Sequence, residues 1–200
     1  MGGVQSLDEL PFIAGHVALD FVNTAEERGH PDAGDVLRAP ADLVLWGRRY
    51  DLLSRSIGSS DDQAELRRAL ATRELLYALF SDRVHDRAAS DAGLRRLASL
   101  AAEAYRAAIL TPASDGQLAW RWSPSELATI RHVAVTAAVD LLSSQSLAAL
   151  KQCPGDHCGW FFLDTTKRGN RRWCSMSECG QDAKNARRRA PRHHRSNNQR

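Results

Sequence analysis

Cys153, Cys158, Cys174 and Cys179 are the four cysteines of this 200-residue chain, and they fall as two C-x4-C pairs with fifteen residues between them. If the intervening segment folds back as a hairpin, four thiolates meet at one point. Tetrahedral Zn²⁺ asks for that donor set. A closed site of four sulfurs leaves no open coordination position, so such an ion holds structure and does not activate water. Disulfides compete poorly, because the first six residues lack a charged stretch leading into an apolar run and nothing else points to an oxidising compartment. Iron–sulfur ligation is the chemical rival. His157, next to Cys158, reads either as a substitute ligand or as a solvated knuckle residue.

The residues around the sulfurs suggest how they are positioned. Trp160, Phe161, Phe162 and Leu163 form a compact β-forming run. Residues 164–170 supply a polar turn, and Arg171, Arg172 and Trp173 return toward Cys174, so the segment reads as a hairpin between two knuckles. Ser175 and Glu178 form a capping box in front of a helix that Pro191 ends. Helical spacing puts Met176, Cys179, Ala183, Ala186 and Ala190 on its inner stripe and turns Lys184, Arg187, Arg188 and Arg189 outward. Knuckle, hairpin and ligand-bearing helix make a small treble-clef-like zinc module over 151–191, followed by a basic disordered tail over 192–200. Zn²⁺ would supply the folding energy of so small a unit, on the order of 10–16 kcal/mol.

Charge separates this end from the rest. Residues 151–200 hold twelve Lys/Arg against four Asp/Glu, or +8, which leaves fifteen against twenty, or −5, for residues 1–150. A polyanion is the partner such an end expects. A basic helix over 176–190 on a rigid scaffold suits the major groove, with Arg171, Arg172, Lys184, Arg187, Arg188 and Arg189 as candidate DNA contacts.

Residues 1–150 read as a helical domain, so the fold class is mainly α. Residues 16–24 fit a strand through Val17, Leu19 and Phe21 and fit a helix through Leu19 and Val22; so short a run does not decide. Asp20, Asn23 and Thr24 place polar groups in that apolar run, either to cap the next turn or to line a ligand pocket. Residues 29–34 read as a loop, Pro40 opens a helix carrying Leu43 and Trp46, and Ser60 with Gln63 forms a capping box. The helix that follows buries Leu66, Leu70, Tyr77, Phe80 and Val84 and turns Glu65, Arg67, Arg68 and Glu74 away. Ser90 caps another, with Leu94, Leu97, Ala101, Tyr105 and Ala108 inward. Residues 111–116 read as a turn and 117–122 as a short strand. Ser123, Pro124 and Glu126 mark a further helix start, whose inner face runs through Leu127, Ile130, Ala134, Ala137, Leu141 and Leu142; a helical segment from Leu147 to Leu150 then leads into Cys153. His85 and His132 read as structural residues. The chain shows no phosphate loop, nucleophile elbow or HExxH, so no enzyme is expected. No apolar run approaches a membrane span, and a soluble, cytoplasmic protein follows.

Cys153, Cys158, Gly159, Trp160, Phe162, Asp164, Arg171, Arg172, Trp173, Cys174, Ser175, Met176, Cys179, Gly180 and Lys184 stand in a pattern that closely resembles the CGNR zinc-finger family of bacterial proteins. The resemblance implies Zn²⁺ on the four cysteines. Upstream, the run from Leu19 to Thr24 and the Asp42, Leu43 and Trp46 set resemble ABATE, a domain described as a candidate stress-induced transcription regulator. Where the family name calls for Asn-Arg after Cys-Gly, this chain has Gln181 and Asp182. Asp182 suits a helix N-terminus or a pairing with Arg171 or Arg172. The reading implied is a zinc-dependent DNA-binding transcriptional regulator whose N-terminal domain senses a small-molecule effector or forms a homodimer. The alternatives are a finger that docks on an acidic partner, or on its own body, and an enzyme using the N-terminal pocket.

Overall fold

The computed structural model describes residues 7, 9–25, 28, 34–57, 62–156 and 158–189. The knuckle residue His157, the loop residues 29–33, the cap at Ser60, Ala190 and Pro191 at the end of the basic helix, and the tail all lie outside the described residues. Among the described residues, six α-helices and two short hairpins follow in order: α1 (Val17–Val22), α2 (Pro40–Arg49), α3 (Gln63–Val84), α4 (Asp91–Arg106), β1 (Ile109–Pro112), β2 (Leu118–Arg121), α5 (Ala128–Ser143), β3 (Leu150–Gln152), β4 (Phe161–Leu163) and α6 (Cys179–Arg189). The mainly helical expectation holds.

The ambiguous run at 16–24 is helical. α1 is only six residues long and buried from Ala18 to Val22, so its neighbours hold it and local propensity contributes little. It packs on α3 and α5. α2 begins with Pro40 in the first turn, and Asp42 Oδ2 accepts from the Arg38 and Ala39 amides at 2.9 and 2.8 Å. Asp62 caps α3 through Glu65 N at 2.8 Å, and Ser90 caps α4 through Gly93 N at 3.1 Å. These bonds satisfy amides that a helix start leaves open.

Several expectations need correction. α5 begins at Ala128, later than Ser123 suggests, because residues 123–126 form a turn in which Ser123 O accepts from Glu126 N and from Thr129 Oγ1. The segment before the first cysteine is a 3-10 turn, Gln145–Ala149, and then strand β3. On α4 the buried residues are Leu97, Leu100, Ala101 and Ala104, while Leu94 is 48% exposed.

Glu65 does not face solvent. It is buried against Arg131 of α5, which donates through Nε to Oε1 at 2.7 Å and through Nη2 to Glu103 Oε1 at 2.9 Å. A similar, half-buried contact joins the buried Arg73 of α3 to Asp35 at 2.6 and 2.8 Å and to the buried Thr24 Oγ1 at 3.1 Å. Each pair survives burial because its hydrogen bonds offset the lost hydration.

His132 is buried beside Arg131, and burial first, the adjoining guanidinium second, push its pKa below 6.5. Burial also lowers His16. The folded protein therefore binds fewer protons than the unfolded chain just below the ordinary histidine pKa, and stability falls as pH drops through that window. The denaturation midpoint should decline between about pH 7 and pH 5.5, with a smaller decline in His132→Gln; equal declines contradict this.

The core includes the fully buried Phe21, Trp46 and Phe80, and with them Phe161 and Phe162 from β4. The Phe161 ring lies 5.3 Å from Tyr77 and 5.9 Å from Phe80. The cysteine-bearing segment is thus built into the helical body.

Candidate metal centre

β4 brings the two cysteine pairs together, and its partner differs from the one expected. It pairs antiparallel with β3, Leu150 opposite Leu163 and Gln152 opposite Phe161, and not with the Arg171 to Trp173 run. Cys153 N extends the ladder to Trp160 O at 2.8 Å. The body holds β4 as well, through Leu163 N to Ala14 O at 2.9 Å. Asn23 completes the clasp, with Nδ2 donating to Phe161 O and Oδ1 accepting from Phe161 N, both at 2.9 Å.

Asp164, at the end of β4, explains why the returning segment is not a strand. Its carboxylate accepts from Lys151 Nζ at 2.6 Å, Thr166 Oγ1 at 2.5 Å, Thr166 N at 3.1 Å and Arg171 N at 2.8 Å. The Lys151 ammonium first, and the Thr166 hydroxyl after it, hold its carboxyl well below the usual carboxylate range. The backbone amide of Arg171 is spent on a side chain and not on a ladder.

The sulfurs converge. Cys158 and Cys174 Sγ lie 3.4 Å apart, Cys174 and Cys179 Sγ 3.6 Å, and all four lie within 4.8 Å of one another. Zn–S bonds of about 2.3 Å in a tetrahedron place sulfurs roughly 3.8 Å apart, so the donor set fits Zn²⁺. All four cysteines are free thiols. A multi-iron cluster would put its own core between the ligands and spread them farther. Cys153 and Cys174 are buried, Cys158 and Cys179 partly so.

The thiol electrostatics also favour a cation. Hydrogen bonds from Cys158, Cys174 and Cys179 lower the Cys153 thiol, whereas the bonds to Cys153 push Cys158 and Cys174 up. Cys179 is lowered as well, through its bonds to Cys158 and Cys174, so thiolates are favoured at two of the sulfurs and opposed at the other two. A bound dication reverses that opposition and deprotonates its ligands.

Two glycines make the knuckle possible. Gly159 adopts φ +73°, and a Cβ on Gly155 would stand 3.2 Å from Cys179 Sγ. A side chain at Gly155 would crowd a ligand, and an L-residue at Gly159 would be strained.

The candidate DNA contacts separate into two groups. Arg171 is committed internally: it donates to the carbonyls of Trp173, Cys174 and Ile13 at 3.1, 2.5 and 3.2 Å, and its guanidinium lies 4.3 Å over the Phe162 ring. Arg172, Lys184, Arg187, Arg188 and Arg189 are exposed. On α6 the only buried residue is Gly180, and Met176, expected inward, is 53% exposed. A helix with so little apolar surface has little to bury, so it projects. Asp182 sits in its first turn, where a carboxylate suits the dipole. A cleft of about 410 Å³ separates α6 from the first knuckle, with Asp156, Trp173, Asp182 and Arg189 among its lining residues.

Asp20, Asn23 and Thr24 are all buried and all engaged. Asp20 accepts from Tyr50 Oη at 2.6 Å and Ala14 N at 3.1 Å, and Thr24 donates to Phe21 O at 2.8 Å. Burial pushes the Asp20 carboxyl up, against the hydrogen bond from Tyr50. None of the three lines the 410 Å³ cleft. Instead they tie α1 to α2, α3 and β4. Asp164, Lys151 and Gln152 carry the module's framework and were not singled out from sequence, although Asp164 stands in the motif that carries the family resemblance.

Four converging cysteines, knuckle glycines and a ligand-bearing helix, seated on a helical body, define a zinc-finger protein with a closed structural metal site. Residues 15–145 match the family model ABATE, described as "putative stress-induced transcription regulator", and residues 149–192 match the CGNR zinc finger. The chain belongs to the ABATE family and ends in a CGNR zinc finger. No curated protein matches it. Among the described residues, no helix is long and apolar enough to cross a membrane.

Proposed function

We propose that this protein is a zinc-dependent DNA-binding transcription regulator. Residues 1–150 act as a sensing or dimerising part, 151–191 as the finger and 192–200 as a basic tail. One observation carries the reading: α6 leaves the metal site at Cys179 and holds Lys184, Arg187, Arg188 and Arg189 in solvent. Zn²⁺ fixes the root of the helix, and the arginines meet phosphates or guanine edges in the major groove. Arg172 adds a cation at the base of α6, while Arg171 positions the module from within.

A four-sulfur site offers no position for a reacting water, and this favours a regulator over an enzyme. The exposed bases of α6 favour an external polyanion over docking on the protein's own body.

Fluorescence anisotropy with duplex DNA at several salt concentrations tests the proposal. Binding should weaken steeply with salt, and Arg187→Ala with Arg188→Ala should flatten the log–log slope by about 1–2. Absence of binding by zinc-loaded protein, or binding indifferent to salt, contradicts it.

A further inference from the structure

The surface feature least expected of an isolated chain is the hairpin between α4 and α5. On β1 and β2, Ile109 is 69% exposed, Leu118 65%, Leu110 45% and Trp120 44%. The register pairs Leu110 with Trp120 and Pro112 with Leu118, so Leu110, Pro112, Leu118 and Trp120 share one face, while Ile109, opposite Arg121, lies on the other. The arm is fixed at the C-terminal end of α4: the Trp120 ring lies 5.3 Å from Tyr105, and Trp122 Nε1 donates to Ala104 O at 2.7 Å. A contiguous apolar ribbon of this kind marks an interface.

At the other end of α4 lies an apolar groove of about 390 Å³, lined by Leu79, Leu94, Leu97, Val139, Leu142 and Leu147. Leu94, which the sequence places inward, is its exposed wall. Arm and groove stand at opposite ends of one helix of 16 residues, about 24 Å long.

We propose that the occupant of both is a second copy of this chain, in a two-fold dimer built on antiparallel α4 helices. Antiparallel packing sets the C-terminal end of each α4 beside the N-terminal end of the other, so each arm covers the partner's groove. The charges of α4 agree. Asp91, Arg95, Ser99, Glu103 and Arg106 recur every three or four residues on its exposed face. A two-fold axis at Ser99 brings Arg95 opposite the partner's Glu103 and Asp91 beside the partner's Arg106. Each contact occurs twice, as isologous symmetry requires. Arg83 and Arg87 also line the groove and suit Asp115 at the tip of the incoming arm.

The dimer deepens the role given above to residues 1–150, and its test uses no DNA, so either reading can fail alone. Sedimentation velocity on the full zinc-loaded chain, over a concentration series, should show twice the 22.1 kDa chain mass. Leu118→Asp and Trp120→Glu change exposed positions; each should leave the circular dichroism intact and weaken association by about a hundredfold or more. Asp91→Arg and Arg106→Asp should each weaken it, and the two together should restore it. A monomer at every concentration overturns the proposal and assigns the arm to a different protein. A dimer indifferent to the arm variants, or a double charge exchange no better than the singles, overturns it as well.

Discussion

Removing the metal, by chelation or by Cys174→Ser, is expected to melt part of the cysteine-rich segment and spare the rest. Zinc binding in small finger peptides is worth about 10–16 kcal/mol, and that free energy is their folding energy. Here the dependence is divided. Among the described residues, the 153–158 knuckle, the 171–178 return and α6 bury little besides their sulfurs, Gly180 and part of Trp173. Without the ion nothing of comparable strength replaces it. β3 and β4 are different: Phe161 and Phe162 sit fully buried in the body's core, and Asn23 and Ala14 bond β4 from the other side. Amide hydrogen exchange should therefore show protection lost along α6 after chelation, while Phe161, Phe162 and Leu163 stay protected. Loss across the whole of 149–192 would show the finger to be an independent unit, and retention along α6 would show that the helix does not need the ion.

The second large effect is expected at Asn23. Asn23→Ala deletes both bonds to Phe161 and leaves a buried N–H and a buried C=O without partners. Each such orphan costs about 1–3 kcal/mol, so the loss should be on the order of 4 kcal/mol. Asn23→Asp should also destabilise, because a carboxylate still accepts from Phe161 N but has no N–H for Phe161 O. Urea unfolding followed by tryptophan fluorescence measures both. A loss under about 1 kcal/mol for Asn23→Ala would show that the clasp is incidental, since surface changes rarely exceed half that.

The metal site was legible in the sequence because ligand identity and spacing are local properties, and C-x4-C pairs leave few ways to place four sulfurs. Some helix starts were legible too: Ser90 caps α4 where its position suggests and Pro40 opens α2, whereas α3 is capped by Asp62 two residues beyond the expected Ser60. What escaped depends on contacts distant in the chain. A run such as Trp160 to Leu163 announces a strand but not which edge it will pair, and β3 competes through Leu150 and Gln152 while Asp164 takes the Arg171 amide. Glu65 read as a solvent residue because its charge is the only local signal, and its partner Arg131 lies 66 positions on. Arg171 read as a polyanion contact for the same reason, although its donors reach carbonyls in its own module and in the body. Asn23 presented a short polar residue in an apolar run, which local capping and a distant clasp explain equally until Phe161 is seen beside it.

Zinc K-edge X-ray absorption on the purified protein decides whether the four cysteine sulfurs alone hold Zn²⁺. One zinc per chain is expected, with a first shell of four sulfurs at about 2.3 Å and no nitrogen or oxygen ligand. A shell containing light ligands, or a chain that carries no metal while its thiols remain reduced, would contradict it.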